Sequence, residues 1–301
     1  MNRKTLCFSI LFAGITNISI SGNEPDSLGL PGDNLDLQGV LELFKKSASP
    51  EEFEKALNTP DNQVNNLDLN NDDKTDYIRV VDHFENGAHA LVLQVPVNES
   101  EAQDVAVIEI EKTGDETADA QIVGDEDFYG KDYIIEAGEG TPPPPPSMAA
   151  NRSVVIVNVW AWPCVRFVYA PAYVIWISPW HWHYYPVWWT PWEPVLWHVH
   201  HMRVIRYHHP YWHRVYTHRV VKAHSVYAPH RTVSATVYAH RSPVMKQNPG
   251  PARKANRQQN GQQKAARQNN PNKMAKPHNR PQGGGMKPAR AGKGGGGRGR
   301  R

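Results

Sequence analysis

Residues Thr141 to Ser147 read TPPPPPS, and no single helix or strand can run through them. Proline has no backbone N–H and a fixed φ, so five in succession make a stiff polyproline spacer. The chemistry of the chain changes across this run. Between Gly22 and Gly140 there are 29 Asp or Glu against 7 Lys or Arg, whereas from Asn151 onward Glu193 is the one acid against 24 Lys or Arg. A net charge of +3 therefore hides two halves of opposite sign. Such segregation points to electrostatic partners, which include the other half of the same chain or of another copy.

The N-terminus suggests where the chain works. Arg3 and Lys4 precede an apolar run from Leu6 to Ile15, and Ser19-Ile20-Ser21 offers a small-residue cleavage site. A membrane span needs roughly 20 apolar residues, about twice this length. The reading is a signal peptide over 1–21 and a chain exported to the periplasm, the outer-envelope surface or the extracellular space. Cys7 falls in the removed segment, which leaves Cys164 as a lone thiol, expected to be buried and inert.

After a flexible lead-in (22–33), residues 34–140 read as an acidic α+β domain. Apolar spacing predicts a helix over Asn34–Lys46. Ser49-Pro50-Glu51-Glu52 starts a second, with a capping Ser, Pro at the first helical position and Glu at the third. Beyond Pro60 the period becomes strand-like over Tyr77–Phe84, His89–Val95, Val105–Glu111, Ala118–Val123 and Tyr133–Glu136. Asn86-Gly87 marks a two-residue hairpin. The alternation ending the third strand predicts that Glu109 and Glu111 face water. The expected fold is two N-terminal helices on a small antiparallel β-meander.

Past the linker (141–152), a Trp/His/Pro-rich region (153–244) holds all ten Trp and most of the 15 His. Ser153–Trp160 and Val165–Tyr169 read as strands in a β-like segment that Pro163, Pro171, Pro179, Pro186, Pro191 and Pro194 keep breaking. Residues 154–178 are apolar, but Asn158, Pro163, Arg166 and Pro171 argue against a membrane span. Residues 215–244 repeat with period 11 (VYTHRVVKAHS, VYAPHRTVSAT, VYAHRSPV), each unit opening Val-Tyr and then placing a His-Arg pair. This is either drift in a biased segment or a repeated ligand-contacting unit. Residues 245–301, ending GGGGRGRR, form a basic tail too polar to offset the entropy of ordering.

Two stretches carry candidate chemistry. LDLNNDDKTDYI (67–78) places oxygens on alternate residues, as calcium loops do: the side chains of Asp68, Asn70, Asp72 and Asp76 with the carbonyl of Lys74. It resembles the shortened loops, D-x-[DN]-x-[DN]-G-x-x-D, of dockerin repeats and integrin-type propeller blades. Asp73 replaces the glycine of that pattern, and Arg79 stands where a full EF-hand carries its bidentate Glu. A structural calcium site and a plain polar turn into the next strand both remain open. The second set is histidine: His181 and His183 on one face of a strand, His209 and His213 on one face of a helix, and His198, His200 and His201, suited to a transition metal.

NNLDLNNDDKTDYIRVVD and LVLQVPVNESEAQDVAVIEIEKTG, followed by SPWHWHYYPVWWTPW, resemble a group of exported bacterial proteins of unknown function. That resemblance implies export and a division at the proline run, and no activity. No nucleophile sits in an elbow or triad context, so no enzyme and no small-molecule substrate are expected. The reading is surface interaction or scaffolding through the aromatic, cationic half. Its partners would be anionic polymers or surfaces (polysaccharide, lipopolysaccharide, extracellular DNA) or the acidic domain of another copy. A periplasmic His-rich metal-binding protein is the alternative.

Overall fold

The computed structural model of the protein describes residues 28–139 and 155–239. The stretch read as a signal peptide, most of the expected lead-in, the proline run, the end of the third repeat unit and the basic C-terminal stretch lie outside the described residues.

Asp36, not Asn34, opens the first helix. Its carboxylate accepts the Gly39 amide at 2.6 Å, and α1 runs Leu37–Lys46 behind a 3-10 turn at Pro31–Asn34. Leu37, Val40, Leu41 and Phe44 are buried, and Lys45 and Lys46 fall in the last turn, where the helix dipole favours cations. Helix α2 (Pro50–Leu57) starts at Ser49, whose Oγ accepts the Glu52 amide. Glu52 reaches back to the amide of Ala48 at 2.7 Å, one residue before the cap.

The strands are β1 (Arg79–Glu85), β2 (Ala88–Pro96), β3 (Ala102–Gly114), β4 (Thr117–Gly124) and β5 (Ile134–Glu139), each antiparallel to the one before. Asn86 and Gly87, with φ of 52° and 79°, make the tight turn between β1 and β2. A short helix, α3 (Glu126–Tyr129), joins β4 to β5. The fold class is mixed α+β.

Strand β2 is buried along its whole length, so the sheet is covered on both faces. Leu91 and Leu93 face a core built by α1, α2 and the residues around Trp162, with Phe44, Phe53, Ile108, Ile110 and Ile122. Ala90 and Val92 point the other way and meet Val107, Val226 and Tyr227. That second cover comes from beyond the proline run. The elements there are β6 (Val155–Ile156), α4 (Pro163–Val168), α5 (Trp197–Val204), β7 (Trp212–Val215) and α6 (Val221–Tyr227). Helix α6 crosses β1, β2 and β3.

The same region caps the sheet edges. Strand β7 pairs with β5 from Ile134–Val215 to Ala137–Trp212, and β6 pairs with its end at Gly138 and Glu139. At the far edge, Asp82 N donates to Trp176 O at 2.8 Å and Ser178 N to Val80 O at 3.1 Å. Covering both edges removes unpaired ladders that would otherwise template aggregation. Residues 28–139 and 155–239 thus belong to one compact unit.

The opposite charges of the two halves meet inside this unit. Arg231 binds Asp125 at 2.6 Å, Arg219 binds Glu136 at 3.3 Å, Lys222 binds Glu111 at 2.6 Å and His208 binds Asp36 at 2.7 Å. The period-11 repeat is part of this fastening. Val215, Val226 and Val237 are all buried, and the arginines of the first two His-Arg pairs are the Arg219 and Arg231 just named. His230 of the second pair stacks on His83, ring centroids 4.2 Å apart.

Three expectations are corrected. Val165–Tyr169 is not a strand: Pro163 suits the first turn of a helix, and α4 runs to Val168. Over Ser153–Trp160, among the described residues, only Val155 and Ile156 pair as strand. Glu109 does not face water but is fully buried, because α6 closes the face on which the alternation puts it. Among the described residues no helix is long and apolar enough to cross a membrane.

Asp104 shows how tightly the second half is held. Its carboxylate accepts the Thr232 amide at 2.7 Å, Gln94 Nε2 at 2.6 Å and the Tyr227 hydroxyl at 3.2 Å. Burial nevertheless pushes it up to about 6. The folded state therefore holds the Asp104 proton more tightly than the unfolded chain does. The stabilisation from that proton is full below about 4 and is lost as pH rises through about 6, on the order of 3 kcal/mol. Urea midpoints measured from pH 4 to 7 are expected to fall less steeply in Asp104→Asn than in the parent; an unchanged slope would assign the pH dependence elsewhere.

Candidate functional site: an acidic loop beside an aromatic segment

The acidic stretch leaves the helical layer at Leu67 and returns to the sheet at Tyr77. Its base is closed by Asp76, whose amide donates to Leu67 O at 2.7 Å and whose Oδ2 accepts the Leu69 amide at 2.6 Å. Asn65 holds both sides, accepting the Leu67 amide and donating to Asp76 O. Within the loop, Asp68 accepts the amides of Asp72 and Asp73, each at 3.1 Å, and Asp72 accepts that of Lys74 at 3.0 Å. Asn70 accepts the Asp72 amide and donates to the Asp72 carboxylate. Asn71 and Asp73 take φ of 58° and 60°. Asp73 thus adopts the left-handed backbone that favours glycine, a conformation Asp tolerates better than most residues.

The carboxylates press on one another. Burial pushes Asp76 up to about 8, helped by the charges of Asp68 and Asp72. Burial also raises Asp68. Among the described residues no Lys, Arg or His makes an ion pair with any of the three. A divalent cation would relieve this repulsion. The donors available to it are the oxygens of Asp68, Asn70, Asp72 and Asp76 and the Lys74 carbonyl, the hard ligands calcium takes.

Residues from the far side of the proline run pack around the loop's exit. Tyr77 is buried against Tyr185, Trp188 and Trp189, with centroids 5.6, 6.4 and 5.2 Å away. Thr75 N donates to Trp192 O at 2.7 Å, and Asn66 makes a reciprocal pair with Val195 N and O at 2.8 and 2.9 Å. A buried carboxylate fastens the other end of the aromatic segment. Glu54 on α2 accepts the Tyr77 hydroxyl, the Val80 amide and the Ser178 hydroxyl, while desolvation holds its pKa above the usual range. The pattern of α2 marks Phe53, Ala56 and Leu57 as inward and gives no sign of Glu54, because its partners lie on other elements.

From Val174 to Leu196 the chain has little regular structure, and most of its side chains are exposed or half-buried. Val174, Ile177, Tyr184, Val187, Trp188 and Leu196 all face solvent, Val187 completely. Beside it lies a cleft of about 250 Å³ lined by Asn65, Asn66, Trp192, Val195, His200 and Arg203.

The seven histidines picked from the sequence are dispersed. His181 and His183 do not share a strand face. They lie in a tight turn bridged by His181 and Tyr184, with His183 at φ 60°. His209 is in a loop and His213 in β7, so no helix aligns them. His198, His200 and His201 lie on α5. His200 is buried, and desolvation lowers it to about 4. His201 sits between Trp197 and His208. Among the described residues, none of these seven belongs to a group of three close metal-ligating side chains; that arrangement occurs at Glu109, His218 and His224. Spacing alone missed it, because Glu109 was assigned to water and the two histidines are brought together only by the β7–α6 turn. Cys164 is fully buried, and desolvation raises its thiol so far that it stays protonated.

Comparison of the chain with protein-family models, with curated proteins and with solved structures gives no match.

Calorimetric titration of calcium into the full chain is expected to show one saturable event at or below about 1 mM, absent in Asp72→Ala. A heatless titration would leave the loop a polar turn.

Proposed function

We propose that this chain is a non-catalytic, exported binding protein whose working face is the aromatic segment from Val174 to Trp197, with a structural calcium ion on Asp68, Asn70, Asp72, Lys74 and Asp76. The observation that carries this reading is the number of solvent-facing apolar side chains, Tyr184 and Trp188 among them, on a segment fastened at Ser178 and Val195 by buried polar groups. A segment that leaves this many apolar side chains in water is a candidate partner surface. Fastening also lowers the conformational entropy that binding would otherwise cost. Export is supported by the charged, apolar and small-residue order of positions 1–21.

The partner class that fits best is polysaccharide. Sugar rings lay their C–H faces on Trp and Tyr and leave their hydroxyls to polar groups at the rim, where Arg203 lines the neighbouring cleft. Nucleic acid or lipopolysaccharide would call for free cations beside the aromatic rings. Several cations of this half, Arg219, Lys222 and Arg231 among them, are instead engaged by acids of the first half.

Affinity electrophoresis in gels containing neutral or uronic-acid polysaccharide tests this. The full chain is expected to be retarded by at least one of them, little affected by added salt. In Tyr184→Ala with Trp188→Ala the apparent affinity should fall about tenfold, the scale of one or two lost aromatic contacts. No retardation, or retardation indifferent to both substitutions, would rule the face out. Retardation abolished by salt would move binding to a polyanion.

A further inference from the structure

We propose that Glu109, His218 and His224 form a transition-metal site, best suited to zinc, on the sheet face covered by α6. It lies apart from the acidic loop and the aromatic segment, and shares no residue with the histidines that spacing singled out. Glu109 stands on β3 between Ile108 and Ile110, which enter the main core, so its side chain goes to the opposite face. His224 lies on α6, and His218 on the turn that brings the chain from β7 to α6. One ligand atom from each residue lies within 4.8 Å of the other two. Nδ1 of His224 is 2.8 Å from Oε1 of Glu109, and the two imidazole centroids are 4.4 Å apart. Donors around a tetrahedral zinc ion, at bonds of about 2.0–2.2 Å, stand roughly 3.4 Å from one another. A small rotation of the half-buried His218 covers the difference.

The surroundings are those of a held site. The second oxygen of Glu109 accepts Gln121 Nε2 at 2.6 Å. Gln121 Oε1 in turn accepts the amide of Arg219, next to His218, at 3.1 Å. This orients the carboxylate through a group that does not itself ligate, as outer-shell partners of metal ligands do. Nδ1 of His218 is buried and has no hydrogen-bond partner among the described residues. An unpaired buried ring nitrogen is costly, and a metal ion is one of the few ligands that would use its lone pair. Nε2 of the same ring is 4.0 Å from Asp132, placed to anchor the far side.

His218, His224, Asp132 and Tyr227 also line a cleft of about 310 Å³, with Lys131 and Arg231 at its wall. The cleft gives an ion an entry path and leaves its fourth position open to water or a small anion. Two imidazoles and one carboxylate are a borderline donor set, which suits zinc and cobalt better than calcium or magnesium. Without metal, the same residues make only a histidine–carboxylate pair, and the two cases differ in a measurable way.

The full chain, stripped with a chelator and dialysed, is titrated with Zn²⁺ by calorimetry and with Co²⁺ by visible absorption. One equivalent is expected to bind ahead of weaker surface sites, with the strong d–d bands of four-coordinate cobalt. His218→Ala should weaken that equivalent by ~100-fold or more. Glu109→Gln should do the same, and thermal melts check that both variants fold. His181→Ala with His183→Ala should leave it in place. The site is overturned if the first equivalent survives His218→Ala, if it is lost with His181 and His183, or if no stoichiometric binding is seen.

Discussion

The structure depends on the closure of both faces of one antiparallel meander. Strand β2 is apolar on each side, so a sheet covered only by α1 and α2 would leave Ala90, Val92 and Val107 in water. It would also expose the two edges that β7 and residues 176–178 now occupy. At about 0.8 kcal/mol per buried CH₂, the side chains under α6 contribute several kcal/mol, a large part of the 5–15 kcal/mol that keeps a domain folded. The second half supplies that closure despite its prolines, because it needs only short pieces: a six-residue helix, a four-residue strand and a seven-residue helix.

Electrostatics follow from the same contact. Acids that lie on the sheet and at its edges, Glu109, Asp125 and Glu136, are desolvated by the covering segment and meet His224, Arg231 and Arg219 as they are buried. A buried carboxylate without a partner would cost several kcal/mol, so the covering segment has to bring a cation or donor to each acid it desolvates. The charge asymmetry between the halves is in this sense an internal complementarity. It does not by itself call for an external polyanion.

What was legible in the sequence is what local rules determine. The cap at Ser49, the Asn86-Gly87 turn and the strand periods depend on neighbours within a few residues, and each element lies close to where those rules put it. The loop at 67–76 was legible too, down to the strained position that Asp73 fills. What could not be read was burial imposed from a distance. Glu54, Asp104 and Glu109 look like solvent-facing residues until Ser178, Thr232 and His224, each more than 100 residues away, arrive on them. The histidine groupings failed for a related reason. Spacing arguments assume a regular helix or strand, and residues 179–186 and 208–211 have neither.

The central claim is that the two halves fold as one cooperative body, and the distribution of tryptophan makes it directly measurable. All ten Trp lie beyond the proline run, whereas strands β1 to β5 lie before it. Equilibrium urea unfolding followed by tryptophan fluorescence, and in parallel by amide hydrogen exchange in β2, reports on each half separately. The account predicts coincident transitions with one midpoint. Loss of the fluorescence signal at lower urea, with β2 amides still protected, would show that the meander stands without its second cover and would contradict it.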